Sequence, residues 1–256
     1  MEKICSIMQP TYLPWMGYFD LIDQADHFVF LDDVQLVKRS WMVRNRIKTG
    51  QGPLFLTIPV EKTKHRDEQM LHESGIDFSQ NWIKKHLNSI EQAYRKAPFF
   101  NPVFAFVEEI FNHVPVRLAD FNINTIIRIA GKLNMGNVFY RSSSIDTGDL
   151  SQAEKLLKIC ESLNCNVYLS PQGSADYLER DIPGSVFGQS VVTLYYMNYD
   201  HPSYSQMNGR FESHMCILDL LFNAGFDRAP EIIRSGRRPK YHFTEFRENS
   251  IQRRKT

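Results

Sequence analysis

The residues able to do chemistry in this chain are concentrated in its first fifty positions. Asp32 and Asp33 leave an apolar run, residues 27–31, as adjacent carboxylates that point to opposite faces of an extended chain. Facing a cleft, such a carboxylate can bind a divalent cation, take a proton from an attacking amine or hold an arginine; capping a turn is the plain alternative. Gln9, Thr11 and Tyr12 follow an earlier apolar run, residues 4–8, and offer hydrogen bonds to a ligand. Gln35 shares a face with Asp33 if the chain stays extended. Between residues 38 and 48 stand five cations, Lys38, Arg39, Arg44, Arg46 and Lys48, with Trp41 and Asn45 among them and no acid from Val34 to Val60. Arg44, Arg46 and Lys48 are two apart, so an extended chain projects them from one side, where they suit a phosphate or diphosphate. Trp41 offers a stacking face for a base or sugar; a solvated hairpin with Trp41 packed inward is the alternative. The expected site therefore has Asp32, Asp33 and Gln9 as catalytic groups. Its substrate-binding groups are Thr11, Tyr12, Gln35, Lys38, Arg39, Trp41, Arg44, Asn45, Arg46 and Lys48.

Apolar periodicity gives the elements that must position these groups. Residues 4–8 and 27–31 read as buried strands separated by a helix that Pro14 opens, with Trp15, Phe19 and Ile22 at helical spacing. Strand, polar turn, helix, strand begins an α/β sheet, whose ligands sit at the carboxyl ends of its strands. The helix would aim its positive end at a bound anion. Thr49-Gly50-Gln51-Gly52-Pro53 reads as a turn before a strand at 54–58, residues 61–69 as a charged mobile loop and 71–76 as a short edge strand. Three helical patterns follow: one with Trp82, His86, Ile90 and Tyr94 on a face, one over 103–111 and one over 118–133. Further strands are expected at 137–140, 167–169 and 191–196, and Ser151-Gln152-Ala153-Glu154 is a capping box opening another helix. Met215, Leu218, Leu221 and Phe222 mark a last helix from 214 to 222, ended by Asn223-Ala224-Gly225. His86, His113 and His214 fall in helical patterns and read as packing or surface histidines, and Asp219 needs a buried partner in its apolar helix. The turns 142–144 and 170–174 end strands and can supply ligand hydrogen bonds.

The expected architecture is an α/β fold with a mainly parallel, Rossmann-like sheet, flanking helices and a helical insertion over residues 80–135. Residues 1–228 form one domain, and 229–256 a basic, partly disordered tail, in which eight Lys or Arg from Pro230 onward face three Glu.

Composition excludes several classes. The chain has 256 residues, 43% hydrophobic and 23% charged, with a net charge of +1, so no global field draws it to nucleic acid or anionic lipid. No apolar run approaches the roughly 20 residues of a membrane span, and no signal-peptide pattern opens the chain, which points to the cytoplasm. Cys5, Cys160, Cys165 and Cys216 are too few and scattered for a disulfide framework, and no histidine pair completes a zinc site.

The combination Met8-Gln9-Pro10, Pro14-Trp15-Met16-Gly17-Tyr18-Phe19, Asp32-Asp33-Val34-Gln35, Lys38-Arg39-Ser40-Trp41 and Arg44-Asn45-Arg46-Ile47 resembles the WbqC-like family. The match continues through Trp82, Tyr94-Arg95-Lys96-Ala97-Pro98, Arg141-Ser142-Ser143, Tyr204-Ser205-Gln206 and residues 217–223. Many members of that family have His where this chain has Met8, whose thioether cannot shuttle a proton. The resemblance implies a place in bacterial O-antigen or related surface-polysaccharide synthesis. The expected activity is transfer of an aminoacyl group such as glycyl, or a related acyl group, to the amine of an amino-sugar nucleotide. ATP, a coenzyme A thioester or an aminoacyl-tRNA remain open as the donor, and a homo-oligomer remains open as the assembly. A non-catalytic sugar-nucleotide-binding protein of the same pathway, or a nucleic-acid-binding protein, are the alternatives.

Overall fold

A computed structural model describes residues 1–37, 39–61, 69–136, 138–180 and 182–246. In chain order the strands are β1 (Ile4–Met8), β2 (His27–Phe30), β3 (Arg44–Thr49), β4 (Gly52–Thr57), β5 (Val138–Arg141), β6 (Val167–Ser170), β7 (Thr193–Tyr199) and β8 (Arg237–His242). The helices are α1 (Met16–Gln24), α2 (Trp82–Tyr94), α3 (Phe100–Phe111), α4 (Leu118–Lys132), α5 (Gln152–Ser162), α6 (Ala175–Leu178) and α7 (Ile217–Ser235). Six strands form the central sheet in the order β5-β2-β1-β6-β7-β8, parallel throughout except for β8, which runs antiparallel to β7. This is the mainly parallel α/β architecture expected, and α2, α3 and α4 occupy the expected helical insertion.

Both faces of the sheet are buried, which is why its strands read as near-continuous apolar runs. Phe28 and Phe30 of β2 pack on the side that holds α1, α2, α3, α4 and α7; Val29 and Leu31 pack with Cys5, Ile7 and the α5 residues Leu156 and Ile159 on the other. The chain winds outward from β1 through β2 to β5, then crosses to the other flank of β1 for β6 and β7. β1 and β6 are thus neighbours whose following connections diverge, the place where a parallel sheet opens a crevice at its carboxyl edge. Their ladder covers only Ile4–Val167 and Cys5–Tyr168; beyond it the Ser6 hydroxyl donates to the Leu169 carbonyl (3.0 Å), and Ile7 and Met8 border a cavity.

β3 and β4 form a separate antiparallel hairpin across the expected turn. The edge strand expected at 71–76 is instead a single 3-10 turn, Leu71–Glu73, flanked by isolated bridges from Met70 to Gln35, Ile76 to Val60 and Gly75 to Arg117. The last helix also runs further than its pattern. Gly225 adopts φ +75°, and a Cβ there would press on the Phe99 ring, so the chain kinks at glycine and resumes helix to Ser235. It then forms β8 on the sheet edge, so residues 229–242 of the expected tail are helix and strand. Residues 62–68 of the expected loop, and 247–256 of the tail, lie outside the described residues. No helix among the described residues is long and apolar enough to cross a membrane.

Candidate functional site

The turn after β1 is built to hold one shape. Its backbone carbonyls are taken one by one: Gln9 by the Tyr18 hydroxyl (3.1 Å), Pro10 by Asn122 Nδ2 (3.0 Å), Tyr12 and Leu13 by Asn45 Nδ2 (3.1 and 2.8 Å), and Pro14 by the Ile217 amide (2.9 Å). Asn122 Nδ2 also donates to the Met42 carbonyl (2.8 Å), and the Tyr12 amide to Trp41 O (2.8 Å), so residues 41–42 are tied to the same turn. With these five carbonyls occupied, the turn leaves the side chains of Gln9 and Thr11 without a hydrogen-bond partner among the described residues, at the edge of a cavity.

That cavity has a volume of about 570 Å³ and opens at the carboxyl ends of β1 and β6. Met8, Gln9 and Thr11 line one side; Pro171, Gln172, Gly173 and Ser174, the turn after β6, line the other. Gln152 opens α5 behind its Ser151–Glu154 capping box, Tyr177 comes from α6, Tyr199 from β7, and Trp15, Trp41 and His214 close the rim. A smaller chamber of about 260 Å³ adjoins it, sharing Met8, Thr11, Trp15, Trp41 and His214 and adding Tyr18, Asn45 and Arg46.

His214 is at the junction of the two chambers, and the helical pattern misplaced it. It lies before α7, with φ +57°, a left-handed conformation uncommon outside glycine. What holds it is visible: its amide donates to His201 Nε2 (3.0 Å), and its ring lies 4.7 Å from that of His201 and 4.9 Å from that of Trp15. Because His201 Nε2 accepts, His201 Nδ1 carries the proton and donates to the Pro202 carbonyl (3.0 Å). Burial and the neighbouring His214 pull the His201 pKa down to about 4. Burial, then the nearby Arg46 guanidinium, also lower that of His214, so both rings are neutral near pH 7. Trp15 stacks on His201 (5.9 Å, 11° between planes) and meets Tyr199 edge-on. Gly17 makes this possible, since a Cβ there would collide with the Trp15 ring.

The expected acids take a different position. Asp32 is fully buried and holds an arginine: Arg141 Nε reaches its Oδ2 at 2.7 Å, and the Ser143 amide and Ser143 hydroxyl complete its shell. Burial raises its pKa, but these donors outweigh burial and keep the carboxyl below its ordinary value. Asp33 pairs with Lys155 of α5 (2.5 Å) and accepts from Ser142. Arg141 also bonds Asp120 of α4 (2.6 Å), so the Asp32-Asp33 and Arg141-Ser142-Ser143 motifs lock β2, β5, α4 and α5 together. Neither acid lines the cavity.

The basic ribbon divides. Arg46 lines the smaller chamber; Arg44 lies over the Phe55 ring (4.7 Å); Lys48 is buried, its Nζ donating to Gln206 Oε1 (3.0 Å) and to the Arg210 carbonyl (2.6 Å). Gln206 in turn donates to Asp219, which also accepts from Tyr94 (2.8 Å) and Tyr204 (2.7 Å), so the Tyr204-Ser205-Gln206 motif and Asp219 bind α7 to the hairpin. Burial raises the Asp219 pKa against the pull of these donors. Trp41 is half exposed at the cavity rim and leans on Phe55. Asn45 is consumed by the turn, Tyr12 is buried with its hydroxyl on His86, Arg39 is exposed at φ +57°, and Gln35 bridges Met70. Lys38 lies outside the described residues. The two chambers thus gather Gln9, Thr11, Trp41, Asn45 and Arg46 from the expected set and add His214, Trp15, Gln152, Gln172, Tyr177 and Tyr199. No group of three His, Cys, Asp or Glu suited to a metal ion occurs among the described residues.

Fold and cavity together define a mainly parallel α/β protein with an aromatic-walled crevice at the point where its strand order reverses. The chain belongs to the WbqC-like protein family, whose model matches residues 9–231. It is 33% identical over 236 residues to the uncharacterized protein Rv1507c of Mycobacterium tuberculosis, a match spanning 91% of this chain and 98% of that relative. No solved structure matches the chain significantly.

Proposed function

We propose that the protein transfers an acyl or aminoacyl group to the amine of a nucleotide-linked amino sugar, within bacterial surface-polysaccharide synthesis. The observation that carries this reading is a neutral imidazole, His214, held in a left-handed backbone conformation where two chambers of unequal size meet. An amine attacks only after losing its proton, and an uncharged imidazole beside it can accept that proton. Trp15, Trp41, Tyr177 and Tyr199 give the larger chamber flat apolar faces for a sugar ring or base, while Gln9, Thr11, Gln152 and Gln172 supply neutral hydrogen bonds. Gln9 and Thr11, fixed by the pinned turn, orient the reacting group. Asp32 and Asp33 shape the neighbouring strand ends without touching it.

The test is to incubate the purified chain with amino-sugar nucleotides and, in turn, an acid or amino acid with ATP, a coenzyme A thioester and an aminoacyl-tRNA, and to search for an amide by mass spectrometry. An amide product formed by the wild type and lost in His214→Asn supports the reading. No product with any donor, together with no sugar-nucleotide binding by calorimetry, removes it.

A further inference from the structure

Arg46 is a cation with no anion beside it among the described residues. Its Nε and Nη2 make only long bonds, to the backbone carbonyls of His214 (3.3 Å) and Ser213 (3.5 Å), and no carboxylate pairs with it among the described residues. It ends a chamber whose other walls are largely apolar, Met8, Trp15, Tyr18 and Trp41. The nearby amide of Asn45 is occupied by Tyr12 and Leu13, which leaves the Thr11 hydroxyl and the neutral His214 ring as the other polar groups of the lining. A guanidinium left in such surroundings favours an anionic guest that can take its remaining donors in parallel.

The dimensions narrow the guest. At about 260 Å³ the chamber falls below the ~300–1,000 Å³ of pockets that enclose drug-sized ligands, which favours a small guest over a whole nucleotide or sugar diphosphate. One guanidinium against apolar walls also suits a carboxylate with a hydrocarbon tail better than a diphosphate. The expected partners for a diphosphate, Arg44 and Lys48, are engaged by Phe55 and by Gln206 with Arg210. Among the described residues no acid lines the chamber to receive an ammonium.

We propose that the smaller chamber is a separate subsite for a short-chain monocarboxylate with an uncharged tail, its carboxylate on Arg46 and its tail against Trp15 and Tyr18. The inference rests on the two-chamber transferase reading for its purpose, and narrows the group handled there to a simple acyl rather than an aminoacyl unit. Binding itself needs no sugar nucleotide and can be measured alone.

The experiment titrates the full-length chain with propionate, butyrate, glycine and inorganic phosphate by calorimetry and by saturation-transfer NMR. The expected result is binding of propionate or butyrate at least 10-fold tighter than of glycine or phosphate. That binding weakens 10-fold or more in Arg46→Met and partly recovers in Arg46→Lys, with melting temperatures confirming that both variants fold. Phosphate displacing butyrate at equal concentration, glycine binding as tightly, or butyrate binding unchanged in Arg46→Met would each overturn the subsite; so would no binding of any acid to wild type. If the acids bind through Arg46 while amino-sugar nucleotides neither bind nor react, the subsite is retained and the transferase reading falls. If sugar nucleotides bind and no acid does, the reverse holds.

Discussion

Two histidines show how much a single ring depends on what faces it. His214 is kept neutral by burial and by Arg46, so an activity that needs it as proton acceptor runs at neutral pH. Such activity falls only on the acid side, below the ordinary histidine value of 6.5, as the ring gains its proton. His214→Asn removes the acceptor while keeping a polar side chain, and amide formation is expected to drop ~10²–10⁴-fold in kcat with the acid limb of the pH profile abolished. His86 is used differently. Tyr12 donates to its Nδ1 (2.9 Å), its Nε2 faces the Thr57 carbonyl (3.2 Å), and burial holds its pKa to about 4. Unfolding lets the ring take a proton near 6.5 that the folded protein refuses, so stability is complete above that value and falls as pH drops toward about 4. The loss from this ring is on the order of 3 kcal/mol. His86→Gln is expected to flatten that part of the slope in urea unfolding between about pH 7 and pH 4. Sequence pattern read His86 as a packing or surface histidine, and the structure buries it. It assigned His214 to the same class because Leu218 and Leu221 continue its spacing, but α7 begins only at Ile217, after a residue the pattern had no reason to place left-handed.

At the scale of elements, local periodicity succeeded where the partner lies nearby along the chain. α2, α3 and α4, the β3–β4 turn and the Ser151 capping box follow from spacing alone, because apolar stripes and turn chemistry are local. Direction was not legible where the partner is remote. Alternation places Arg46 and Lys48 on one side of β3, yet Lys48 is drawn inward by Gln206 and the Arg210 carbonyl, more than 150 residues away, and this leaves Arg46 to the chamber. Residues 71–76 have strand-like composition but reach only isolated bridges, so the ladder a strand needs is missing among the described residues. The turn after β1 is the element whose integrity the site requires. Asn45→Ala leaves the Tyr12 and Leu13 carbonyls unpaired inside the protein and is expected to cost about 2 kcal/mol in chemical unfolding. Gly17→Ala acts on position more than stability. The added methyl pushes the Trp15 ring off His201, and sugar-nucleotide binding is expected to weaken about 10-fold with the far-UV circular dichroism unchanged.

For the whole molecule, the segment read as a tail closes the structure. A run rich in Lys and Arg has the composition of a solvated end, and nothing local in it says that acids from the first helix await it. α1 presents Asp20, fully buried, and Asp23. Arg237 of β8 pairs with both, at 2.9 Å to Asp20, and Arg234 of α7 adds a bond to Asp23 at 2.6 Å. Arg238 and Lys240 likewise meet Asp200 and Glu2, so the last strand is fastened to the start of the chain and to the end of β7. The pairing explains how the sheet edge can be strongly basic in sequence yet neutralised in three dimensions. It also sets a test. Burial already raises the Asp20 pKa against the pull of Arg237. Arg237→Met strands that carboxylate without its counter-charge, and the expected loss is about 3–5 kcal/mol near pH 7. Without the guanidinium the Asp20 pKa climbs further above its ordinary 3.8, and the folded state then holds a proton that the unfolded chain releases. The deficit of the variant must therefore shrink as pH is lowered toward that raised pKa. Urea unfolding of wild type and variant at about pH 7 and pH 5 reads this directly: an equal deficit at both values would mean that Arg237 acts through packing and not through the charge of Asp20.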